Sequence, residues 1–113
     1  MNRIELDAAT FRSYLEKHHL RAFKTATKCN CPIASWMQEE LGYVSVAVSS
    51  CYVRIFNNKH QAFDEGIDHL LPSWACTFIQ GFDGPYGTRP ETRMGIEAKA
   101  ILDGIPYLWE RTA

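Results

Sequence analysis

Residues 29–42 read CNCPIASWMQEELG, and a helix start, an apolar stripe and a helix stop agree within them. Pro32 suits the first helical position, where its missing N–H group is not needed, and Gly42 suits the position just past the helix end. The apolar residues between them recur at helical spacing and are Ile33, Trp36, Met37 and Leu41. The pattern predicts a helix from Pro32 to Leu41 that packs this stripe against a core.

The sequence after Gly42 predicts strands, because the spacing of apolar residues falls from about 3.6 to about 2. Apolar residues alternate in two runs, at even positions in the first and at odd positions in the second. The first run is Val44, Val46 and Val48, and the second is Cys51, Val53 and Ile55. A tight turn at Ser49-Ser50 would pair Val48 with Cys51 and place both runs on one face. A bulge within one long strand would also explain the change of parity. Asn57-Asn58 predicts a second turn, followed by a short edge strand from Lys59 to Phe63.

Three more helices are predicted from apolar spacing and from residues that start or stop helices. The first follows Asp7, a good N-cap, and runs from about Ala8 to His19. Another begins at Pro72-Ser73, and the last runs from Glu91 to Leu102 before a stop at Gly104.

The segments between these elements have weaker signals. Residues 20–28 show a mixed pattern typical of irregular structure or a short helix, and residues 64–69 read as an acidic loop. Residues 81–90 contain three glycines and two prolines, which predicts a loop with several turns. Ile4 and Leu6 predict a short strand or a packed arm. Together the elements predict an α+β fold, with a small antiparallel sheet of two to three strands packed against about four helices.

Length and composition predict one compact domain over residues 1–113. The chain is 46% hydrophobic and 22% charged, which is ordinary for a globular protein and unlike a disordered one. A net charge of −1 argues against a global attraction to nucleic acid or membrane. The sequence has no run of roughly eighteen apolar residues and no N-terminal region that resembles a signal peptide. We therefore expect a cytoplasmic protein whose four cysteines are reduced thiols.

Cys31 is the candidate for a catalytic residue. A thiolate at a helix start is stabilised by the helix dipole and by unpaired N–H groups, and Lys28 is close in sequence. The sequence Cys31-Pro32-Ile33-Ala34 resembles the active-site turn of thioredoxin-like and glutaredoxin-like proteins, with Ala34 in place of their resolving cysteine. The resemblance implies a thiol-dependent redox protein that uses Cys31. The alternative is that Cys29 and Cys31 are small buried residues.

The cysteines also allow a zinc site, since Cys29, Cys31, Cys51 and Cys76 would supply enough thiolates for a tetrahedral ion. Structural zinc sites usually separate paired cysteines by about two or more residues, whereas a single residue separates Cys29 from Cys31. His18-His19 and Asp68-His69 offer a general base, but no recognisable nucleophile motif accompanies them. We therefore predict no metal and no cofactor, and favour a protein that is not an enzyme.

Basic residues are concentrated between Arg12 and Lys28, where Glu16 is the one acidic residue. Such a segment can engage phosphates or an acidic protein surface, so nucleic acid remains a possible partner through Arg12–Lys28. The loop after Gly81 carries a tyrosine and an arginine, which are residue types enriched at interface hot spots. The predicted binding residues are Arg21, Lys24, Lys28, Tyr86 and Arg89. The alternative is that the basic residues form a solvated surface with no partner, and that the loop after Gly81 only connects two helices.

These features favour a small non-enzymatic binding protein. A short chain with no catalytic motif and uneven charge resembles, in type, the small open reading frames of bacteria, plasmids and phages. Such proteins commonly act as stoichiometric inhibitors or modulators of other proteins. We therefore predict a cytoplasmic binder of a protein partner, of the phage or mobile-element type. The alternatives are a thioredoxin-like protein that uses Cys31 and a small zinc- or ligand-binding domain.

Overall fold

The computed structural model describes residues 2–17, 32–49, 51–83 and 95–105. Within these ranges the chain forms four helices and one three-stranded antiparallel sheet, so the predicted α+β class is confirmed. The elements, in chain order, are α1 (Ala8–Lys17), α2 (Pro32–Glu40), β1 (Ser45–Val48), β2 (Tyr52–Phe56), β3 (Ile67–Leu70), α3 (Ser73–Asp83) and α4 (Gly95–Asp103).

The start of α1 confirms Asp7 as its N-cap. The Asp7 carboxylate accepts hydrogen bonds from the backbone N–H of Thr10, at 3.1 Å, and from the Thr10 hydroxyl, at 2.6 Å. The hydroxyl bond is the larger cause that lowers the pKa of Asp7. A carboxylate in this position satisfies an N–H group that the helix itself leaves without a partner.

The helix predicted from Pro32 to Leu41 is present as α2, which ends one residue earlier, at Glu40, with the predicted stop at Gly42. Gly42 has a φ of +84°, the left-handed conformation that glycine adopts without steric cost. The N–H of Tyr43 donates to the carbonyl of Met37 at 3.2 Å, which satisfies a carbonyl of the last turns. Of the predicted stripe, Ile33, Trp36 and Met37 are buried, but Leu41 lies past the last helical residue and is 38% exposed.

The first hairpin has a register two residues away from the predicted one. Val48 pairs with Val53 and Val46 with Ile55, whereas the prediction set Val48 opposite Cys51. The N–H of Ser49, the residue after β1, donates to the carbonyl of Tyr52 at 2.8 Å. Cys51 therefore lies in the turn and not in a strand. Because side chains alternate with period two, this shift leaves the paired apolar residues on one face.

The predicted edge strand from Lys59 to Phe63 is wrong, and so is the predicted loop at residues 64–69, because β3 is Ile67–Leu70. The residues before β3 satisfy their backbone locally instead of joining a ladder. Side-chain oxygens of Gln61, Asn58 and Glu65 accept the backbone N–H groups of Asn57, His60 and Ala62, at 2.6, 2.9 and 2.8 Å. A single 3-10 turn, Phe63–Glu65, then leads into β3.

The N-terminal segment confirms the predicted packed arm. The N–H of Ile4 donates to the carbonyl of Leu70 at 2.8 Å, and the N–H of Leu70 donates to the carbonyl of Asn2 at 2.7 Å. Arg3 thereby forms a parallel bridge with Leu70 along the outer edge of β3. On the opposite edge, the Gln38 side chain accepts the N–H of Val46 at 2.9 Å. Both edges of the sheet are thus partly capped by other parts of the chain.

The described helices and strands share one hydrophobic core with aromatic side chains at its centre. Phe11 of α1 lies with its ring centroid 5.0, 5.5 and 5.1 Å from those of Trp36, Trp74 and Phe78. The Trp74 indole donates to the Leu6 carbonyl at 3.1 Å, so its buried polar group has a partner. The core therefore joins α1, α2 and α3 through ring contacts.

Helix α3 runs through Gly81 to Asp83, although the sequence predicted a loop from Gly81 onwards. A Cβ atom at Gly81 would lie 3.0 Å from Cγ2 of Ile101 in α4, so glycine lets these two helices approach closely. Helix α4 ends at Asp103, one residue beyond the predicted Leu102 and directly before the predicted stop at Gly104. The predicted parts of this region at residues 84–94 lie outside the described ranges.

Candidate functional site

The structure leaves most of the predicted site untested. The predicted binding residues lie outside the described ranges and are Arg21, Lys24, Lys28, Tyr86 and Arg89. The candidate thiols Cys29 and Cys31 lie outside them as well. The predicted basic surface and the predicted thiol chemistry therefore stay predictions.

Two members of the basic segment are described, and both are held in ion pairs within the chain. Arg12 Nε lies 3.4 Å from Oδ1 of Asp103 in α4, and Lys17 Nζ lies 2.8 Å from Oε2 of Glu40 in α2. These pairs tie α1 to its neighbouring helices. The basic charge at this described end of the segment is thus shared with carboxylates of the same chain.

The candidate zinc ligands Cys51 and Cys76 lie beside each other. Cys76 Sγ is 3.8 Å from the carbonyl oxygen of Cys51, although the two residues are 25 positions apart in the chain. Within the described ranges, no group of three or more histidine, cysteine or carboxylate side chains is arranged to hold a metal ion. The spacing of the cysteines did not predict that these two residues are neighbours in the fold.

The Asp68-His69 pair does not converge on one site. Asp68 lies opposite Arg54 in the sheet, and His69 lies opposite Val53, which is fully buried. Successive residues of a strand point to opposite faces. The Asp68 carboxylate and the His69 ring therefore cannot act on a common substrate as an acid–base pair.

The face of the sheet that carries Arg54 is turned away from the core. Val46 and Val53 point to the core and are buried, whereas Ala47, Arg54 and Asp68 form one row across the opposite face. Tyr52, which is 37% exposed, lies on this same face two positions before Arg54 in β2. We call this surface the Arg54 face.

Arg54 is the centre of a network on this face. Its Nε and Nη2 atoms donate to the two carboxylate oxygens of Asp68, at 2.6 and 2.9 Å. Its Nη1 atom donates to the carbonyl of Phe63 at 3.2 Å, and its guanidinium carbon lies 4.6 Å from the centroid of the Phe63 ring. This geometry is the forked arrangement in which arginine binds carboxylates most strongly, combined with a cation–π contact.

The ionisation of the pair follows from this contact. Hydrogen bonding to Arg54 is the largest cause that lowers the pKa of Asp68, and the same hydrogen bonds raise the pKa of Arg54. Both groups therefore carry full charge at neutral pH. The charges cancel locally, so Arg54 positions its neighbours and does not act as a free cation.

Two residues beside Arg54 complete the network. Phe56 is 8% exposed, and its ring centroid lies 5.9 Å from that of Phe63, which is 50% exposed. A Cβ atom at Gly66 would lie 2.7 Å from Cε1 of Phe56 and 2.9 Å from Cδ of Arg54, so no larger residue fits there without a shift. Phe63 is thus held between the Arg54 guanidinium and the Phe56 ring, and the close approach of Gly66 fixes both of these side chains.

The charge around Phe63 is acidic. Asp64 and Glu65 follow it directly and are exposed, and Lys59 is the one lysine of the loop between β2 and β3. Because Arg54 is neutralised by Asp68, the two carboxylates dominate the surroundings of the exposed ring. The sequence had indicated the acidic cluster but not the arginine and the aromatic ring that accompany it.

Comparison with known proteins identifies no relative: no family model matches the chain, and no curated protein or solved structure is significantly similar to it. In the described residues, no helix is both long and apolar enough to cross a membrane.

Proposed function

We propose that this protein is a non-enzymatic binding protein that contacts a protein partner through the Arg54 face, with Phe63 as the anchor. The observation that carries this proposal is the position of Phe63. Phe63 is 50% exposed to solvent, yet its ring is held against the Arg54 guanidinium, which is itself fixed by Asp68. Aromatic and arginine side chains that are rigid before binding lose little entropy on binding and recur among interface hot spots.

The chemistry of the face indicates the kind of partner. An exposed ring followed by Asp64 and Glu65 is complementary to an apolar recess whose rim carries lysine or arginine. Tyr52 on the same face would add a second aromatic contact. A stoichiometric inhibitor or modulator, of the phage or mobile-element type, works through such a surface without a catalytic group.

The test compares three variants as baits in a lysate of the source organism, with captured proteins quantified by mass spectrometry. Phe63→Ala removes the anchor, and the double variant Asp64→Lys with Glu65→Lys reverses the charge of the rim. Ile67→Ala is the matched control, because Ile67 is 62% exposed but pairs with Ile55, on the other face of the sheet.

We expect one protein to be enriched by the wild type and by Ile67→Ala, and to be lost by at least tenfold with Phe63→Ala and with the charge-reversed variant. This corresponds to about 1.4 kcal/mol or more of binding free energy, as expected for a hot spot. A partner that binds all variants equally would contradict the proposal. A purified complex should then show a fixed stoichiometry, with the partner recovered chemically unchanged.

A further inference from the structure

Cys51 and Cys76 come from different parts of the fold and meet at one point. Cys51 lies in the turn between β1 and β2, and Cys76 lies in the first turn of α3. Cys76 Sγ is 3.8 Å from the carbonyl oxygen of Cys51 and 3.8 Å from that of Leu71. The Cys76 thiol therefore lies against the residue with which it would bond.

Backbone contacts hold this arrangement in place. The N–H of Leu71 donates to the carbonyl of Cys51 at 2.9 Å, and the N–H of Cys76 donates to the carbonyl of Pro72 at 3.2 Å. Arg3 of the N-terminal arm donates to the carbonyl of Leu71 at 2.8 Å. The turn, the start of α3 and the arm are thus joined around the two thiols.

The two thiols differ in access to solvent. Cys51 is exposed, whereas Cys76 is partly buried. An exposed thiol is reached more readily by a small disulfide in solution than a partly buried one, which is better placed to react with its neighbour. This is the arrangement of an attacking cysteine and a resolving cysteine.

We propose that Cys51 and Cys76 form a reversible disulfide by exchange with a small disulfide such as oxidised glutathione. In the first step, the Cys51 thiolate attacks one sulfur of oxidised glutathione, breaks its S–S bond and releases one glutathione thiolate. In the second step, the Cys76 thiolate attacks Sγ of Cys51 and releases the second glutathione thiolate. Two protein thiols are oxidised, one glutathione disulfide is reduced, and the two protein protons pass to the released thiolates.

The electrostatics set the order of the two steps. Burial, then the hydrogen bond and charge of Cys51, raise the pKa of Cys76 to about 11, while the charge of Arg3 acts in the opposite direction. Once Cys51 has become an uncharged mixed disulfide, its contribution disappears and that of Arg3 remains. Cys76 therefore reacts second, and below its pKa the rate of this step should rise about tenfold per pH unit.

The experiment incubates the native protein with oxidised glutathione, blocks the remaining thiols with an alkylating reagent and digests the product with chymotrypsin. Cleavage after Tyr43, Tyr52, Trp74 and Phe78 places Cys51 in peptide 44–52 and Cys76 in peptide 75–78, both separate from Cys29 and Cys31. We expect these two peptides to be linked in the wild type and in a Cys29→Ser, Cys31→Ser variant. The Cys76→Ser variant should instead accumulate glutathione on Cys51.

Three other results would overturn the proposal: a stable glutathione adduct on Cys51 of the wild type, no reaction at Cys51, or a link from Cys51 to Cys29 or Cys31. Thermal unfolding gives a second measurement, because a bond across 25 positions restricts the unfolded chain. We expect the melting temperature to rise by about 10 °C on oxidation and to return on reduction. A fall would show that the pair is linked only after the native fold distorts, and would also refute the proposal.

Discussion

Gly66 provides a direct test of whether the Arg54 face is as tightly packed as the structure indicates. Its φ and ψ are −72° and 161°, an extended conformation open to any residue, so an alanine there would not strain the backbone. The added Cβ would instead lie closest to Cγ of Arg54, and would be 2.7 Å from Cε1 of Phe56 and 2.9 Å from Cδ of Arg54. Carbon atoms prefer separations of about 3.5 to 4.0 Å, so these contacts are about 1 Å too short.

The Arg54 side chain cannot move aside cheaply, because Asp68 and Phe63 hold its guanidinium. Overpacking of this kind costs about 1 to 3 kcal/mol, and the reduced freedom of the unfolded chain returns about 0.4 to 1 kcal/mol. We expect Gly66→Ala to lower the free energy of unfolding by about 1 to 2 kcal/mol. The melting temperature of a chain of this size should then fall by about 4 to 8 °C.

The assay is urea and thermal unfolding of Gly66→Ala in the wild type and in an Arg54→Ala background. Truncation of Arg54 removes its Cγ and Cδ atoms and leaves only the contact with Phe56, so the cost of Gly66→Ala should fall there by at least about 0.5 kcal/mol. Gly42→Ala is the control, because its φ is +84° and no atom lies within 4 Å of its Cβ position. It should cost about 1 kcal/mol in both backgrounds. An unchanged or increased stability of Gly66→Ala, or an equal cost in both backgrounds, would refute this reasoning.

Two further predictions concern the helices. Asp7→Ala should lower the free energy of unfolding by about 1 kcal/mol at pH 7, as measured by urea unfolding. Asp7→Ser should keep most of this stability, because serine is also a good N-cap. Because folding lowers the pKa of Asp7, its contribution is complete above the unfolded pKa of about 3.9 and is lost as pH falls through the lower folded pKa; an Asp7→Ala deficit that does not shrink as the solution is acidified would contradict this. Met37→Ala should cost about 2 to 5 kcal/mol and Leu41→Ala less than about 0.5 kcal/mol, because Met37 is fully buried and Leu41 is 38% exposed. Equal costs for the two would show that Leu41 belongs to the core.

The sequence predicted the residue types of the candidate site but not the contacts between them. The acidic cluster at residues 64–68 was visible in the sequence, because it depends only on residue types. Its pairing with Arg54 was not, since that contact depends on the third strand, which was predicted too early in the chain. The cysteines were likewise visible as a set, but nothing in their spacing singled out Cys51 and Cys76 as neighbours.

Local signals were sufficient for the start of α1 and for both ends of α2. Asp7 as a cap, Pro32 as a first helical residue and Gly42 as a stop each act within a few residues, so their effects can be read without knowing what the helices pack against. The alternation after Gly42 was sufficient, in the same way, to identify β1 and β2 and the face that each turns to the core.

Tertiary contacts were required for the sheet register and for the third strand. Apolar side chains keep the same face when a strand shifts by two residues, so the pattern could not distinguish Val53 from Cys51 as the partner of Val48. Ile67–Leu70 is a strand because β2 pairs with it on one edge and Asn2–Ile4 on the other, although its own residues alternate weakly. The ends of α2 depend on neighbours in sequence, whereas strands, the sites built on them and the end of α3 depend on partners that the chain reaches only after folding.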